Sequence, residues 1–180
     1  MEYRYSTKSG APYLINELPI EDYMKGISET DNNSAQGYIK AVLVAARSYA
    51  YKNISNLPPT DKRMFDVYAT TQDQLYLGYT SEQKMPRVVQ FVEETAGEMV
   101  TYESNVVTTP YFSRTNGFTK SDKRHWLQSV ECIYDKGKKK AGHGLGMSTH
   151  DALVRATKDD WNYIELLQYY YSNTQVEKIY

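Results

Sequence analysis

The sequence predicts an α+β fold in one compact domain, and three observations lead to this expectation. Segments with helical spacing and segments with strand-like alternation follow one another without the regular alternation that builds a parallel sheet. The 180 residues are enough for a single hydrophobic core. No internal repeat and no low-complexity tract divides the chain.

Two helices are expected early in the chain. A short helix begins at Ile20 or Glu21, directly after a proline, and ends at Gly26. A longer helix begins near Ser34, because serine is a good N-cap residue. Its apolar face follows helical spacing and contains Ile39, Val42, Leu43, Ala46, Tyr49 and Ala50. Two prolines within 53–63 end this helix in a loop, and residues 65–79 follow as strand and loop.

The second half of the chain alternates strands and helices irregularly. Pro86 opens a helix, and Gly97 supplies the left-handed residue that ends it. Strands then flank a turn at Ser104 and Asn105. A helix capped by Ser148 or Thr149, a terminal helix over 160–171 and a final strand over 175–180 complete the α+β prediction.

Composition excludes several classes of protein. The 21 basic and 22 acidic residues leave almost no net charge, so the chain is not expected to bind nucleic acid. No apolar run reaches the roughly 20 residues of a membrane span, and the first residues lack the core of a signal peptide. A single cysteine, Cys132, precludes an intramolecular disulfide. The 18 tyrosines suit either a sugar-binding groove or a small core whose rings reach the surface.

The glycine-rich stretch GHGLGMS, residues 142–148, fits neither of two common motifs. It lacks the spacing of a phosphate loop, and His150 stands where a nucleophile elbow needs glycine. Its glycines indicate a backbone that passes close to a ligand or to another part of the chain. The few histidines and the one cysteine match no common zinc spacing, so no metal or other cofactor is expected.

Two cations stand on one face of the longer helix. Lys40, Val44, Arg47 and Tyr51 are spaced so that they share this face, which adjoins the apolar one. The pair would be either a solvated edge or a cationic rail for an anionic or polar polymer. The small neighbouring residues suit close packing better than a free surface.

Several blocks in a fixed order resemble the SpoIID/LytB domain, the family of a sporulation lytic transglycosylase and of amidase enhancers. The blocks are LPIEDYMKGISE, YIKAVLVAARSYAY, YATTQDQLYLGY, EETAGEMVTYES, PYFSRTNGFT, GHGLGMSTHDAL and YIELLQYYYSNTQVEKIY. The resemblance covers residues 16–180, which we predict to be the domain with its substrate groove. Residues 1–15 are then an N-terminal extension or a first strand.

The resemblance implies a catalytic glutamate after the LP-EDY--G block. The family commonly has two more residues before that glutamate than this chain has after Gly26. In the family, this glutamate lies at a fixed spacing before a lysine and an arginine of the next helix. The same spacings occur here between Glu29, Lys40 and Arg47. The competing acids, Glu21 and Asp22, suit the N-terminus of a helix instead.

The resemblance also implies a set of substrate-binding residues along the groove. Besides Lys40 and Arg47, the set contains Gln74, Tyr76, Ser113, Gly117, Thr119, His143, Gly144, Gly146 and Ser148. The implied substrate is a peptidoglycan glycan strand, including strands denuded of stem peptides, and the implied protein partner is a wall amidase. The chain would act outside the cytoplasmic membrane, as part of a protein whose export signal lies elsewhere.

Two departures from the family pattern affect the details of the site. Some members bind zinc through a histidine and cysteines, but Phe112 stands at that histidine position and Cys132 has no second cysteine. The resemblance therefore implies no metal here. His150 and Asp151 replace an aromatic residue and a glycine, which alters the groove and leaves the fold unaffected.

Overall fold

A computed structural model describes residues 1–5, 9–56 and 65–180 and has the expected α+β architecture. Helices and short strands surround one long helix, α2. The elements in chain order are β1 (Glu2–Tyr5), β2 (Pro12–Ile15), α1 (Ile20–Lys25), α2 (Gln36–Asn56), α3 (Tyr79–Lys84), α4 (Pro86–Glu94), β3 (Glu98–Tyr102), β4 (Asn105–Val106), β5 (Tyr111–Phe112), a 3₁₀ turn (Ile133–Asp135), β6 (Met147–Ser148), α5 (Thr149–Lys158), α6 (Tyr163–Tyr170) and β7 (Gln175–Lys178).

Helix α2 lies between two hydrophobic clusters and is buried nearly all round. Residues 41–48 are all buried, so both sides of the helix lie in the core. Ile39 and Leu43 pack in a cluster with residues of α1 and α4. Val42 and Ala45 pack in the second cluster, with α5 and α6. The predicted apolar face is therefore only one part of the buried surface of α2.

The strands form three small sheets rather than one continuous sheet. β3 lies between β4 and β7 in an antiparallel sheet, with Val100 opposite Val176. The turn between β3 and β4 uses Glu103 and Ser104, both with positive φ, one residue earlier than predicted. β1 and β2 form a separate antiparallel pair.

β5 and β6 form a parallel pair that brings the glycine-rich stretch beside Tyr111. Tyr111 lies opposite Met147, and Phe112 lies opposite Ser148. β6 leads directly into α5, which begins at Thr149. This pair positions one side of the site described below.

The observed helix boundaries correct two predictions. α2 begins at Gln36 and not at Ser34, because the Ser34 hydroxyl donates to Asp31 in a turn before the helix. α2 also continues to Asn56, into the predicted loop. The rest of that loop, 57–63, lies outside the described residues. The strand expected within 65–79 is reduced to a single bridge between Tyr76 and Ile27.

Candidate active site

Glu29 lies after α1, where the chain runs beside the segment around Leu75. The Ser28 amide donates to the Leu75 carbonyl at 2.9 Å, and the Leu77 amide donates to the Gly26 carbonyl at 2.9 Å. Next to the first of these bonds, the Leu75 amide donates to Glu29 Oε1 at 2.6 Å. The backbone pairing therefore sets the place of the Glu29 carboxyl group.

Burial governs the ionisation of Glu29. Burial raises the pKa of the Glu29 carboxyl, and the hydrogen bond from Leu75 opposes this rise without cancelling it. No described lysine or arginine forms an ion pair with Glu29. Its surroundings thus favour the protonated form, as a general acid requires.

Three tyrosine phenols lie close enough to Glu29 for its charge to affect them. Burial raises the pKa of Tyr23, Tyr38 and Tyr111, and the negative charge of Glu29 raises each of them further. For Tyr38 the pKa reaches about 12. The phenols therefore stay neutral at ordinary pH and bring no charge to the surroundings of the carboxyl group.

The Gln74 side chain connects two of these phenols through hydrogen bonds. The Tyr23 hydroxyl donates to Gln74 Oε1 at 2.9 Å, and Gln74 Nε2 donates to the Tyr111 hydroxyl at 3.2 Å. Gln74 Nε2 also donates to the carbonyl of Ala46 at 3.1 Å. Because Gln74 is fully buried, it holds the tyrosines in place and presents no surface of its own.

Tyr76 lies at the edge of this tyrosine group. Its ring stacks on Tyr23, with centroids 5.3 Å apart, and covers Gly26 so closely that a Cβ there would lie 2.3 Å from the ring. The ring also borders a cavity of about 310 Å³. The cavity is lined by Asn16, Leu18, Asp22, Gly26, Tyr76, Gly78, Tyr79 and Glu82.

His143 joins the glycine-rich stretch to the tyrosine group. The Leu145 amide donates to His143 Nδ1 at 3.0 Å, so the ring proton is on Nε2, which donates to the Tyr111 carbonyl at 3.1 Å. Burial lowers the pKa of His143 and favours this neutral form. The imidazole thus fixes the backbone of Tyr111, whose phenol lies near Glu29.

The glycines of this stretch differ in what they approach. A Cβ on Gly146, which has a φ of +74°, would lie 2.0 Å from the Pro110 carbonyl oxygen. The close approach of the Pro110 backbone thus explains why position 146 requires glycine. Gly144 has a φ of +91°, and its Cα lies under the side chains of Lys120 and Lys140.

The remaining residues predicted from the PYFSRTNGFT and GHGLGMS blocks mostly hold the backbone together. Gly117 accepts from the Cys132 amide at 2.7 Å, and Thr119 exchanges hydrogen bonds with Val130. Ser148 is fully buried, and its hydroxyl donates to Asp135 at 2.7 Å. These three residues therefore make structural contacts, and their contact with substrate stays a prediction.

Ser113 is the exception in this strip. Its side chain is exposed, and its carbonyl accepts from the His150 amide at 3.0 Å and from the Thr149 hydroxyl at 3.3 Å. Since Tyr38 bonds to Thr149, Ser113 lies at the rim of the same group of residues. Its contact with substrate stays a prediction.

Arg47 does not form the expected cationic rail. Arg47 is fully buried, and its guanidinium pairs with Glu21 at 2.8 Å and donates to the carbonyls of Val92 and Glu98. The shared helix face packs against other elements of the protein, so no part of Arg47 is open to a ligand. Glu21 therefore neutralises a buried cation, besides lying in the first turn of α1 as predicted.

Lys40 is also engaged within the protein. Its ammonium group lies 2.7 Å from Glu94 and 5.2 Å from the centre of the Phe91 ring. Its side chain is 14% exposed. Both cations therefore form ion pairs inside the protein, and their contact with a substrate stays a prediction.

Sequence reasoning missed several residues that shape the site. Tyr23 and Tyr111 occur in the recognised blocks EDY and PYFS, but only the folded chain shows that both phenols lie within reach of the Glu29 charge. The buried Asp135 and the partly exposed His150 also pair, at 2.7 Å. In the described ranges, no group of three or more His, Cys, Asp or Glu side chains is arranged to hold a metal ion.

Comparisons with known proteins identify the family. The family model described as SpoIID, Stage II sporulation protein, matches residues 8–102. The chain is 26% identical over 140 residues to stage II sporulation protein D of Bacillus subtilis, covering 68% of this chain and 41% of that protein. It is 37% identical over 110 residues to an uncharacterized protein of Brachyspira hyodysenteriae, covering 60% of this chain and 29% of that protein.

A further relative is the amidase enhancer of Bacillus subtilis, 30% identical over 98 residues, which are 54% of this chain and 12% of that protein. The chain belongs to the SpoIID/LytB family. It spans less than half the length of these curated relatives. None of the helices in the described residues is both long and apolar enough to cross a membrane.

Proposed function

We propose that this chain acts at the bacterial cell wall as a lytic transglycosylase of peptidoglycan glycan strands. The observation that carries the proposal is the state of Glu29, a partly buried carboxyl group with a raised pKa and no cationic partner among the described residues. Membership of the SpoIID/LytB family supports the cell wall as the place of action.

The proposed reaction uses one carboxyl group twice. Protonated Glu29 gives its proton to the glycosidic oxygen between MurNAc and GlcNAc while the bond from that oxygen to MurNAc C1 breaks. The 6-hydroxyl of the same MurNAc attacks C1, and the Glu29 carboxylate takes the hydroxyl proton. The product is a 1,6-anhydro-MurNAc end, and no water is consumed.

A single carboxyl group suffices because the nucleophile belongs to the substrate. Most glycosidases need a second carboxylate to attack or to activate water. Here the attack is intramolecular and therefore favoured by entropy. The carboxyl group must begin protonated, and the burial of Glu29 near neutral tyrosines supports this state without a competing charge.

The cavity beside Tyr76 supports a carbohydrate ligand. Tyr76 and Tyr79 offer ring faces, and the carboxylates of Asp22 and Glu82 can accept hydrogen bonds from sugar hydroxyls. Tyr79 is 69% exposed, which leaves its ring open to a ligand. We propose that a sugar next to the cleaved bond occupies this cavity.

The second candidate is a glycan-binding enhancer of a wall amidase. The relative named amidase enhancer favours this alternative. Both functions need a glycan-binding groove, but only the transglycosylase needs the proton of Glu29. The wall amidase is then the protein partner.

Digestion of purified peptidoglycan, intact and stripped of stem peptides, separates the two candidates. We expect the chain to produce anhydro-MurNAc ends, measured by mass spectrometry, and Glu29→Gln to reduce their formation by about 10²-fold or more. The amide introduced by this substitution keeps an oxygen that can accept from Leu75, so glycan binding should persist. Equal activity of Glu29→Gln would refute the catalytic role, and stimulation of an amidase by this variant would favour the enhancer.

A further inference from the structure

Lys120 and Lys140 lie side by side over Gly144. A Cβ placed on Gly144 would lie 2.9 Å from Lys140 Nζ and 3.4 Å from Lys120 Cδ. The backbone holds both lysines at this place: the Lys120 amide donates to the Gly144 carbonyl at 2.7 Å, and Ala141 forms a pair of 3.0 Å bonds with Arg114. The two side chains thus converge from separate, anchored segments.

The two ammonium groups are close enough to affect each other. Contact with Lys120 lowers the pKa of Lys140, through a side-chain hydrogen bond and through charge repulsion. In the part of the chain that the structure describes, neither lysine forms an ion pair with an acidic residue. Two cations in contact repel each other. An anion bound between them would attract both ammonium groups and offset this repulsion.

The lysine pair is connected to the site around Glu29. His143 lies near both lysines, and the two positive charges help to lower its pKa after burial, which is the main cause. His143 Nε2 donates to the carbonyl of Tyr111, whose phenol lies near Glu29. Tyr111 is thus linked to Glu29 through its phenol and, by way of His143, to the lysine pair through its backbone.

We propose that Lys120 and Lys140 bind the lactyl carboxylate of a muramyl residue from which the stem peptide has been removed. This inference rests on the proposed function, because it needs a glycan strand in the groove. A carboxylate has two oxygens and can accept a charge-assisted hydrogen bond from each ammonium group. The connection through His143 to Tyr111 favours a carboxylate on the glycan itself over the phosphates of a separate polymer.

The test measures binding in the Glu29→Gln background, so that cleavage does not interfere. The ligands are peptide-free glycan strands, the same strands after conversion of their carboxylates to amides, and a phosphodiester wall polymer. We expect the double variant Lys120→Gln, Lys140→Gln to bind peptide-free strands roughly tenfold more weakly than its Glu29→Gln parent at low salt. Both proteins should bind the amidated strands equally well. The control pair, Lys84→Gln with Lys178→Gln, removes the same charge elsewhere and should change neither affinity.

The outcomes separate this inference from the proposed function. Unchanged affinity of the Lys120→Gln, Lys140→Gln variant for peptide-free strands would overturn the inference, as would absence of glycan binding by every variant. Weaker binding of a phosphodiester wall polymer alone would also overturn it, because the site would then serve that polymer. If the charge-dependent binding is found while Glu29→Gln still cleaves glycan, the proposed catalytic role fails and the inference stands.

Discussion

The backbone amide of Leu75 donates a hydrogen bond to Glu29 Oε1 at 2.6 Å. This bond joins two segments that lie far apart in the sequence and places the carboxyl group among three tyrosines. An amide donor stabilises the carboxylate much less than an arginine or lysine would. Glu29 is thus held in position while its pKa still rises, which is the combination that the proposed acid role requires.

The first prediction concerns the stability of Glu29→Gln. The pKa of Glu29 is higher in the folded protein than its usual value near 4.5, so the ionised side chain destabilises the fold at neutral pH. We expect Glu29→Gln to raise the free energy of unfolding at pH 7, measured by urea denaturation. The gain should disappear as the pH falls below about 4.5, where Glu29 is protonated in both states.

Glu177, an exposed residue of β7, provides the control for that series. Glu177→Gln should leave the free energy of unfolding nearly unchanged at both pH values. A destabilising effect of Glu29→Gln at pH 7 would contradict the prediction, since it would mean that the fold favours the carboxylate.

The second prediction concerns the buried ion pair of Arg47 and Glu21. Arg47→Met leaves the Glu21 carboxylate partly buried without its cation and should cost about 3–5 kcal/mol. Adding Glu21→Gln should restore a large part of this loss. Urea denaturation measures both effects, and the partly exposed pair of Lys40 and Glu94 gives a comparison, because Lys40→Met should cost only about 1 kcal/mol.

Glycan binding by the folded Arg47→Met protein adds a second measurement. If Arg47 is purely structural, the folded fraction should bind peptide-free glycan with unchanged affinity. Strong loss of glycan affinity with little loss of stability would reinstate the substrate contact that the sequence predicts.

The third prediction compares two glycines, Gly146 and Gly137, that have nearly equal φ angles. Gly146→Ala places a Cβ about 2.0 Å from the Pro110 carbonyl oxygen and should cost more than about 3 kcal/mol. Gly137 has a φ of +75° but nothing within 4 Å of its Cβ position. Gly137→Ala should therefore cost only about 1–2 kcal/mol, from backbone strain alone. Equal losses of thermal stability would contradict the close approach to Pro110.

The fourth prediction concerns the buried Asp135. Burial alone would raise the pKa of Asp135, but hydrogen bonds from Ser148, Thr115 and His150 outweigh it, and the pKa is lowered. This carboxylate therefore contributes stability above its usual pKa near 3.8, and the contribution is lost as the pH falls through the lower folded value.

Asp135→Asn should reduce the free energy of unfolding by about 2–3 kcal/mol at pH 7, because it weakens several charged hydrogen bonds. The difference from the parent should shrink in acid, as measured by urea denaturation at a series of pH values. Asp160→Asn, at an exposed residue with positive φ that asparagine also tolerates, should cost almost nothing. A pH-independent loss in Asp135→Asn would show that packing rather than charge is responsible.

Much of the fold follows from local sequence signals. The proline before α1 and Pro86 at the start of α4 mark the observed helix starts. Gly97 has the expected positive φ, but α4 already ends at Glu94, with Thr95 as its C-cap, so Gly97 lies in the turn that follows. The α+β class is confirmed, because it depends only on the kinds of element and their irregular order. The register of β5 with β6 is not readable from local signals, since it is set by contacts between distant residues.

The site was harder to predict for a physical reason. Spacing on a helix shows that Lys40 and Arg47 share a face, but it does not show that both sides of that helix are buried. Glu21 and Glu94 approach from other elements and form ion pairs with these cations, which the spacing along the helix does not reveal. The pKa of Glu29 depends in the same way on tyrosines that only the folded chain brings together.

The central position of α2 bears on how this family domain can be divided. The family model ends at Tyr102, yet α6 covers one side of α2, and β7 pairs with β3 beyond that limit. A fragment cut at Tyr102 would expose the side of α2 that packs on Leu166 and Tyr170, and would lose Tyr111 from beside Glu29. The segment matched by the family model is therefore not an autonomous folding unit, and grafting it alone into another protein would transfer Glu29 without its surroundings.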